Sequence, residues 1–464
     1  MKVRLLGAAG EVTGSSYYLD TEHGGILVDF GMFQGAKMAE SRNRLPSILK
    51  SNMLKAVLLT HAHLDHVGRL PLLAQTSFKG RIYATPATID LTRLILEDSA
   101  KIQQYDAERW NRKRRKQGLD PVEPIYSIQD VQYVMSLMHP VKYDKSIEII
   151  GGVTARFAEA GHLLGSTSIE LIVRESNTGP RRVVFSGDIG PTDVPILRDA
   201  EPFDCADLVF LESTYGNRNH RPLDDTIKEL EAVVKNAAER KGKILMPAFA
   251  VGRTQLMIYL MGSMFRRGIV PKFPVFVDSP MAVEATKIFA RYRDIMDEDI
   301  QQLIREAPNR EDLKTVKMVV TPKESMALND IEGPCLIMAG SGMCNAGRIL
   351  HHLKLNLPDP NTSVIIVGYQ AEGSLGRTLV DGKRKEVQIF GKRIPVNASV
   401  HSLGGFSAHA DQNGLLKWLD NMIDCRPRVV LTHGENEPRL ALAEIIQQRY
   451  DIVPELPAYE DVIE

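Results

Sequence analysis

The stretch Ala56–His66, AVLLTHAHLDH, decides the fold. Five residues that favour a buried β-strand end in a turn, after which the pattern VGRLPLLAQ predicts a helix. Within six residues the turn carries three imidazoles and one carboxylate, all of them groups that bind zinc: His61, His63, Asp65 and His66. One turn can rarely wrap four side chains around a single ion. We therefore expect two neighbouring metals that share a bridging group.

Three further strand ends carry a polar residue beside a glycine. His162 follows the run VTARFAEA, Asp188 follows RVVFS, and His433 follows VVLT. In each case a buried strand delivers a candidate ligand to a loop where glycine permits close approach of the backbone. Each residue alone is more often an ordinary loop residue. Together with the turn at His61 they supply the ligands that two metals need.

The composition is that of a globular protein of about two domains. The 464 residues are 44% hydrophobic and 25% charged, which excludes a fibrous or wholly disordered chain. The 57 basic and 58 acidic residues leave a net charge of −1, so a polyanion would have to be held by local charge. The sequence shows no signal segment and no run of about 18 apolar residues, and we expect no membrane partner.

The cysteines predict a reducing compartment. They are widely spaced and form no CxxC pair, which argues against a disulfide framework and against a thiolate zinc site. The four are Cys205, Cys335, Cys344 and Cys425. We expect no disulfide framework and a cytoplasmic protein.

The order of elements predicts an α/β protein in two parts. Up to Glu212, short β-branched runs dominate, and a helical pattern lies at 88–105. After Glu212, strands and helices alternate, which is typical of a parallel, doubly wound sheet. We expect an inserted domain at 210–385, between a first part at 1–209 and a C-terminal part at 386–464.

The ligand pattern resembles that of the metallo-β-lactamase superfamily, whose motifs are matched in order and in strand context. The matching residues are Asp29, His61, His63, Asp65, His66, His162 and Asp188. The resemblance implies an αββα sandwich with two zinc ions. One zinc would be held by His61, His63 and His162. The second would be held by Asp65, His66 and His433, and both ions would share Asp188. Asp29, which ends the run GILVD, would orient a ligand of the turn.

Three segments in the second half narrow the family. They are LESTYG at 211–216, FSAHAD at 406–411 and LTHGE at 431–435. These look like motifs A, B and C of the β-CASP nucleases, and the resemblance runs from Leu5 to about Gln447. It implies an inserted β-CASP domain and a zinc-dependent ribonuclease that cuts single-stranded RNA, with exonuclease activity left open. A histidine at motif C, here His433, accompanies RNA processing in that family, and the family also suggests a homodimer.

Phosphodiester hydrolysis needs a proton for the oxygen that leaves. His409 is the candidate donor because imidazole titrates near neutral pH, and Glu212 is the carboxylate that would raise its pKa and hold its ring. Asp65 is also expected to be catalytic, as a ligand of the metals that activate water. Without the motif, His409 is more often an ordinary residue at a helix start, where Asp411 is the cap.

Phosphate contacts are expected at two strand-to-helix turns. Arg253 lies in PAFAVGRTQ, and Gly340, Ser341 and Gly342 follow the strand PCLIM, where they would present backbone N–H groups at the start of a helix from 346. Arg377 is a weaker candidate. Ordinary tight turns explain such glycines about as often.

The run at 109–116, RWNRKRRK, has six basic residues in eight. It is either a solvated helix end or an arm that contacts phosphate, and the sequence favours neither.

Three other functions stay open at this point. A hydrolase of a small ester or thioester needs neither a leaving-group acid nor a large inserted domain. The second is a DNA nuclease, against which His433 argues. The third is a binding protein that has lost its metals, which would not explain why seven ligand groups are retained.

Overall fold

The computed structural model describes residues 1–35, 41–50, 53–177, 179–306 and 312–464. The chain divides into two compact units. The first comprises Met1–Asp193, Leu197–Asn219 and Ala408–Glu464, and the second comprises Val194–Ile196 and His220–Ser407.

The strands, in chain order, are β1 (Lys2–Leu5), β2 (Tyr17–Thr21), β3 (Gly24–Val28), β4 (Leu54–Leu58), β5 (Arg81–Ala84), β6 (Met138–Pro140), β7 (Ile147–Ile150), β8 (Val153–Glu159), β9 (Thr167–Val173), β10 (Arg181–Phe185), β11 (Leu208–Glu212), β12 (Lys243–Pro247), β13 (Val275–Asp278), β14 (Val316–Met318), β15 (Cys335–Ala339), β16 (Ser363–Ile366), β17 (Glu386–Ile389), β18 (Lys392–Pro395), β19 (Ser399–Ser402), β20 (Arg428–Thr432) and β21 (Val462–Ile463).

The α-helices are α1 (Leu64–Val67), α2 (Pro86–Lys116), α3 (Ile128–Ser136), α4 (Leu223–Glu239), α5 (Arg253–Arg266), α6 (Pro280–Arg291), α7 (Glu298–Glu306), α8 (Pro322–Ala327), α9 (Ile349–Asn356), α10 (Leu375–Asp381), α11 (Gln412–Asp420) and α12 (Asn436–Tyr450). None of the helices in the described part of the chain combines the length and the apolar character needed to cross a membrane.

The first unit is an αββα sandwich. One sheet has the order β21-β1-β2-β3-β4-β5-β6 and the other has the order β20-β11-β10-β9-β8-β7. Alternate residues of each strand fill the space between the sheets, as the two-residue period of a strand requires. Val28 packs there with Phe157 and Phe185. The α/β class and the sandwich expected from the sequence are confirmed.

The outer faces of both sheets are covered by helices. Val57 of β4 packs with Leu96 of α2 and Val134 of α3, and Leu431 of β20 packs with Leu415 of α11. Strands β10, β11 and β20 run parallel to one another, as do β3 to β6. Parallel strands end at the same edge of a sheet, so the loops that follow them lie side by side.

The second unit contains a parallel sheet in the order β14-β13-β15-β12-β16-β19. Every residue of β13, β15 and β16 is buried, as expected for a sheet that is covered on both faces. The parallel inserted domain is therefore confirmed as a fold.

The limits of the second unit differ from the domain boundaries expected at 210 and 385. Strand β11 reaches Glu212 inside the first unit because it pairs with β10 and β20 there. Strand β19 belongs to the second unit because it pairs with β16. Short strands near a boundary are assigned by their partners, which a local pattern does not reveal.

Helix α2 runs past the predicted end at 105 and through the basic run to Lys116. The apolar period stops near Ala107, but arginine, lysine, glutamine and glutamate are good helix formers, so the helix continues without a buried face.

A single disulfide joins Cys205 and Cys425, whereas the cysteine spacing had argued against a disulfide framework. The two residues are 220 positions apart, but they precede the adjacent parallel strands β11 and β20, and their Cα atoms lie 5.6 Å apart. Spacing along the chain carries no information about such neighbours. Cys335 and Cys344 are free and buried.

Candidate metal centre

The predicted ligands lie where neighbouring strands of the first unit end. His61 and His63 follow β4, and α1 begins immediately after them with Asp65 and His66 in its single turn. The other ligands follow β8, β10 and β20: His162, Asp188 and His433. The turn is tight, because a Cβ at Gly31 would lie 1.5 Å from the carbonyl oxygen of Asp65. Only glycine allows that approach.

Three histidines form the first group. The Nδ1 atom of His63 lies 3.1 Å from Nε2 of His61 and 3.0 Å from Nε2 of His162. Two ligand atoms on one tetrahedral zinc stand roughly 3.3 Å apart, so these separations suit a shared ion. Asp188 Oδ2 lies 3.5 Å from Nε2 of both His61 and His162.

Asp65, His66 and His433 form the second group. The Nε2 atoms of His66 and His433 are 3.3 Å apart, and Nε2 of His433 is 3.6 Å from Asp65 Oδ2. The ligand atoms of each group lie within 4.8 Å of one another. Two clusters of nitrogen and oxygen donors therefore stand side by side.

Asp188 lies between the two groups. Its Oδ2 faces His61 and His162, whereas its Oδ1 lies 3.2 Å from Nε2 of His66. Oδ1 is buried and makes no hydrogen bond of suitable geometry among the described residues, although Nδ1 of His433 also lies 3.4 Å from it. A buried carboxylate oxygen without a partner is costly unless another group satisfies it. A metal ion is such a group, so the residues present fit a metal centre.

Three members of the cluster have protonation states that suit metal binding. Burial lowers the pKa of His61 and His162 well below the usual range. Burial would raise the pKa of Asp65, but the hydrogen bond with His433 and the charge of His66 outweigh it and lower the pKa to about 2. Metals require neutral imidazoles and ionised carboxylates, and these three groups already have those forms near neutral pH. Burial lowers the pKa of His66, but Asp188 and Asp29 outweigh it and raise that pKa well above the usual range, so a metal would have to displace the proton of this ring.

Asp29 ties the turn to the sheet. Its Oδ1 accepts a hydrogen bond of 2.8 Å from the backbone N–H of Thr60, and its Oδ2 accepts one of 2.7 Å from the Thr60 hydroxyl. The same Oδ2 lies 2.8 Å from Nδ1 of His66. This contact fixes the ring so that Nε2 points towards Asp188 and His433.

His409 and Glu212 form a pair at the edge of the cluster. Nδ1 of His409 donates to both carboxylate oxygens of Glu212 at 3.2 Å, and it lies 3.9 Å from Asp188 Oδ2. Burial lowers the pKa of His409, but Glu212 and Asp188 raise it more, to about 9. The side chain keeps 20% of its surface exposed, whereas that of Glu212 is fully buried.

Three family models match the chain. The metallo-beta-lactamase superfamily matches residues 9–247, the Beta-Casp domain matches 254–379, and the Zn-dependent metallo-hydrolase RNA specificity domain matches 393–457. The first alone spans just over half of the chain. The chain belongs to the β-CASP branch of the metallo-β-lactamase superfamily.

Several proteins resemble this β-CASP chain along its length. Ribonuclease TTHA0252 of Thermus thermophilus is 38% identical over 97% of this chain and 96% of that protein. Transcription termination factor FttA of Methanosarcina mazei is 31% identical over 97% of this chain and 70% of that protein. A crystal structure of a protein of unknown function from Enterococcus faecalis V583 covers 100% of this chain and 99% of its own, with a TM-score of 0.58 and 13% identity. This last likeness concerns the fold alone.

Two threonines of this β-CASP centre were not predicted from the sequence. Thr60 contacts Asp29 and lies 3.2 Å from Nδ1 of His61. Thr214 donates to Glu212 at 2.6 Å and lies 3.1 Å from Nδ1 of His433. Thr60 is the last residue of AVLLT, directly before His61, and Thr214 lies inside LESTYG. Their position beside the candidate site residues is the only sequence signal that could have identified them.

The backbone also contributes an orienting group. The carbonyl oxygen of Ala408 accepts from Nδ1 of His162 at 2.8 Å, which directs Nε2 of that ring at the cluster. A carbonyl contact leaves no trace in residue type, so no pattern could have predicted it.

The residues expected to contact phosphate belong to the second unit. Arg253 opens α5, and its guanidinium lies 5.9 Å from the ring centre of Phe406. Arg377 lies in α10 and its Nε donates to Asp381 at 2.8 Å.

The loop of Gly340, Ser341 and Gly342 differs from the expectation. Helix α9 begins at Ile349 rather than at 346, and the backbone N–H of Ser341 donates to the carbonyl of Ala346. The loop therefore closes on itself before the helix starts, so the Ser341 N–H does not stand at a helix N-terminus.

Proposed function

We propose that this β-CASP protein is a zinc-dependent ribonuclease that hydrolyses phosphodiester bonds within single-stranded RNA. The observation that carries the proposal is the His409–Glu212 pair beside the metal centre. A proton donor at that position suits a reaction in which a strongly basic alkoxide leaves, as in phosphodiester hydrolysis. The name of the ribonuclease from Thermus thermophilus supports RNA as the substrate.

We infer two zinc ions as the cofactors. His61, His63 and His162 would hold one ion, Asp65, His66 and His433 the other, and both would share Asp188. The nitrogen and oxygen donors and the unpartnered Oδ1 of Asp188 support this set. Bound zinc would supply an activated water and neutralise negative charge on the phosphate.

His409 would give its proton through Nε2 to the leaving oxygen, because Nδ1 faces Glu212. Glu212 is held by the backbone N–H of Ile189 at 2.7 Å and by the hydroxyl of Thr214. A fixed carboxylate keeps the imidazole in one orientation and favours its protonated form. Asp65 would act as a metal ligand, and Asp29 would orient His66.

Arg253 and Arg377 remain proposals as phosphate contacts. Arg377 would first have to release Asp381. The internal hydrogen bonds of the loop at 340–342 weigh against it as a cradle of N–H groups. Gly340, Ser341 and Gly342 could still contact phosphate, but only through groups other than the Ser341 N–H.

The proposal is tested with circular and linear single-stranded RNAs. The zinc-loaded protein should open the circle, since only an endonuclease can do so, and a chelator should stop the reaction. Loss of linear RNA with an intact circle would restrict the activity to an exonuclease. Cleavage of matched single-stranded DNA but not RNA would overturn RNA as the substrate, and activity on thioesters alone would favour the small-ester rival.

We also propose a cytoplasmic, homodimeric protein. An RNA substrate supports the cytoplasm, whereas the disulfide removes the support that cysteine usage had offered. Sedimentation analysis tests the dimer, and a single species at the monomer mass of 51.7 kDa would contradict it.

A further inference from the structure

The distal half of helix α2 carries cations along one side. Successive members are three or four residues apart, and residues so spaced share a face of a helix. This set, called the basic face below, is Lys101, Tyr105, Arg109, Arg112 and Lys116. All five are exposed.

The proximal half of the same helix is anchored in the first unit. Leu91, Leu96 and Ala100 are buried, and Thr85 caps the helix. The Thr85 hydroxyl also donates to the carbonyl of Gly165 at 2.7 Å, in the loop between β8 and β9 that contains His162. At 1.5 Å per residue, the 31 residues of α2 extend about 46 Å. The helix thus starts beside the metal centre and carries its cations far along its axis.

Lys101 of the basic face interacts with the carboxylate of Asp98 one turn before it. The other three cations differ. Within the described part of the chain, no ion pair engages Arg109, Arg112 or Lys116. Exposed arginines elsewhere do pair, as Arg428 does with Glu455 at 2.7 Å. Residues 101–116 contain seven basic and two acidic residues, although the whole chain has a net charge of −1. A helix end that served solubility alone would mix both signs.

An exposed aromatic ring lies between the cations of the basic face. Tyr105 is 61% exposed and lies one turn before Arg109. Its ring contributes little to the core and most of its surface is open to solvent. Aromatic rings flanked by cations are the usual platform on which unpaired bases stack.

We propose that the basic face of α2 is an accessory site for single-stranded RNA. Its cations would contact successive phosphates, and Tyr105 would stack on a base. This inference rests on the proposed function, because it assigns the site to the same RNA that is cut. Single strands suit it better than duplexes, since a base inside a duplex is already stacked.

The test compares RNA binding and cleavage by full-length variants. The triple variant Arg109→Gln/Arg112→Gln/Lys116→Gln keeps good helix formers, so circular dichroism should not change. Fluorescence anisotropy with a 40-nucleotide RNA, in chelator to prevent cleavage, should show affinity reduced about tenfold or more. Each lost phosphate contact lowers the slope of log affinity against log salt by about 0.7, so the slope should fall by roughly 2.

Two matched controls accompany the triple variant. Lys79→Gln/Lys142→Gln/Lys145→Gln removes the same charge from exposed positions of the first unit and should change affinity less than twofold. Tyr105→Ala should weaken binding about fivefold or more, as loss of one stacked base does. Trp110 is 54% exposed and lies about 140° around the helix axis from Tyr105. Trp110→Ala should therefore have little effect on binding.

The two proposals fail in different ways. If the unaltered protein neither binds nor cleaves RNA, the proposed function is wrong. If it cleaves RNA but the triple variant keeps the same affinity and salt slope, or loses no more than the lysine control does, the accessory site is wrong. Cleavage of a nitrophenyl phosphodiester should be equal in all these proteins, because the substituted residues lie outside the metal centre.

Discussion

At the scale of single residues, His409 separates proton donation from metal binding. It contacts Glu212 and lies outside the two groups around His63 and His66, but it also forms a third group of possible ligands with Asp188 and His433. We expect His409→Ala to keep its zinc and to lose about 10²- to 10⁴-fold in RNA cleavage, the usual contribution of a general acid. Metal analysis and a gel assay on one preparation measure both quantities.

A substrate with a good leaving group provides the control for His409. A nitrophenolate needs little protonation, so the variant should be far less impaired on a nitrophenyl phosphodiester than on RNA. Equal losses on both substrates with zinc retained would rule out the general-acid role. Loss of zinc would instead make His409 a ligand and require a new assignment for His433.

Asp29 is predicted to control zinc affinity from outside the ligand set. Asp29→Asn tolerates the left-handed backbone at this position, where φ is +55°, but removes the charge that holds Nδ1 of His66. Loss of such an orienting contact typically lowers metal affinity by about 10- to 100-fold. Competition with a zinc chelator measures this, with exposed Asp20→Asn as the control. Unchanged affinity would show that the contact is not needed.

Glu159 gives a pH dependence that is independent of the metals. Burial raises its pKa to about 7, and the backbone N–H groups of Ala160 and Gly161 offset this only in part. The pKa of Glu159 is higher in the folded protein than in the unfolded chain. The group therefore stabilises the fold fully below about pH 4.5, and this stabilisation is lost as the pH rises through 7.

Glu159→Gln removes the titrating carboxyl, so the variant should not lose this stabilisation as the pH rises. The free energy of unfolding of the variant, relative to the unaltered protein, should increase between pH 5 and pH 8 by on the order of 3 kcal/mol. Urea unfolding at both pH values measures it, and Glu148→Gln at an exposed position should show no such change. A difference that is constant with pH would mean that Glu159 titrates normally in the fold.

At the scale of elements, the segment from the end of β4 into α1 combines core residues with candidate ligands that lie outside the hydrophobic core. Val57 and Leu58 before the turn are buried in the sandwich, whereas His63 and Asp65 point into the cluster. We expect His63→Ala or Asp65→Ala to abolish RNA cleavage while the circular dichroism spectrum stays the same. Near-normal turnover in either variant would show that the reaction occurs elsewhere.

The elements also show what local patterns can predict. The ligand-bearing strands were predictable because each combines a buried apolar run with a polar residue and a glycine at its end, as AVLLT with His61 does. The start of α9 was not, because Ser341 and Ala346 close a loop that local helix propensity cannot register. The length of α2 was underestimated because its last turns have no buried face.

At the scale of the whole molecule, what escaped prediction depends on contacts between distant segments. The disulfide joins residues 220 positions apart, and Thr214 reaches His433 across adjacent strands. The cluster of candidate ligands is equally non-local, but its members could be selected from the sequence because histidine and aspartate are typical metal-binding residues. Threonine and cysteine have many ordinary roles, so neither stands out from a sequence.

The central claim is that two zinc ions held by this centre cleave RNA, and a zinc titration of metal-depleted protein tests it most directly. Bound zinc per chain and the cleavage rate of a labelled single-stranded RNA are measured on the same samples. If two zinc ions carry the reaction, there should be no cleavage without metal, and the rate should rise to a plateau at two ions per chain. RNA cleavage at full rate by the metal-free protein, or none at any zinc content, would contradict it.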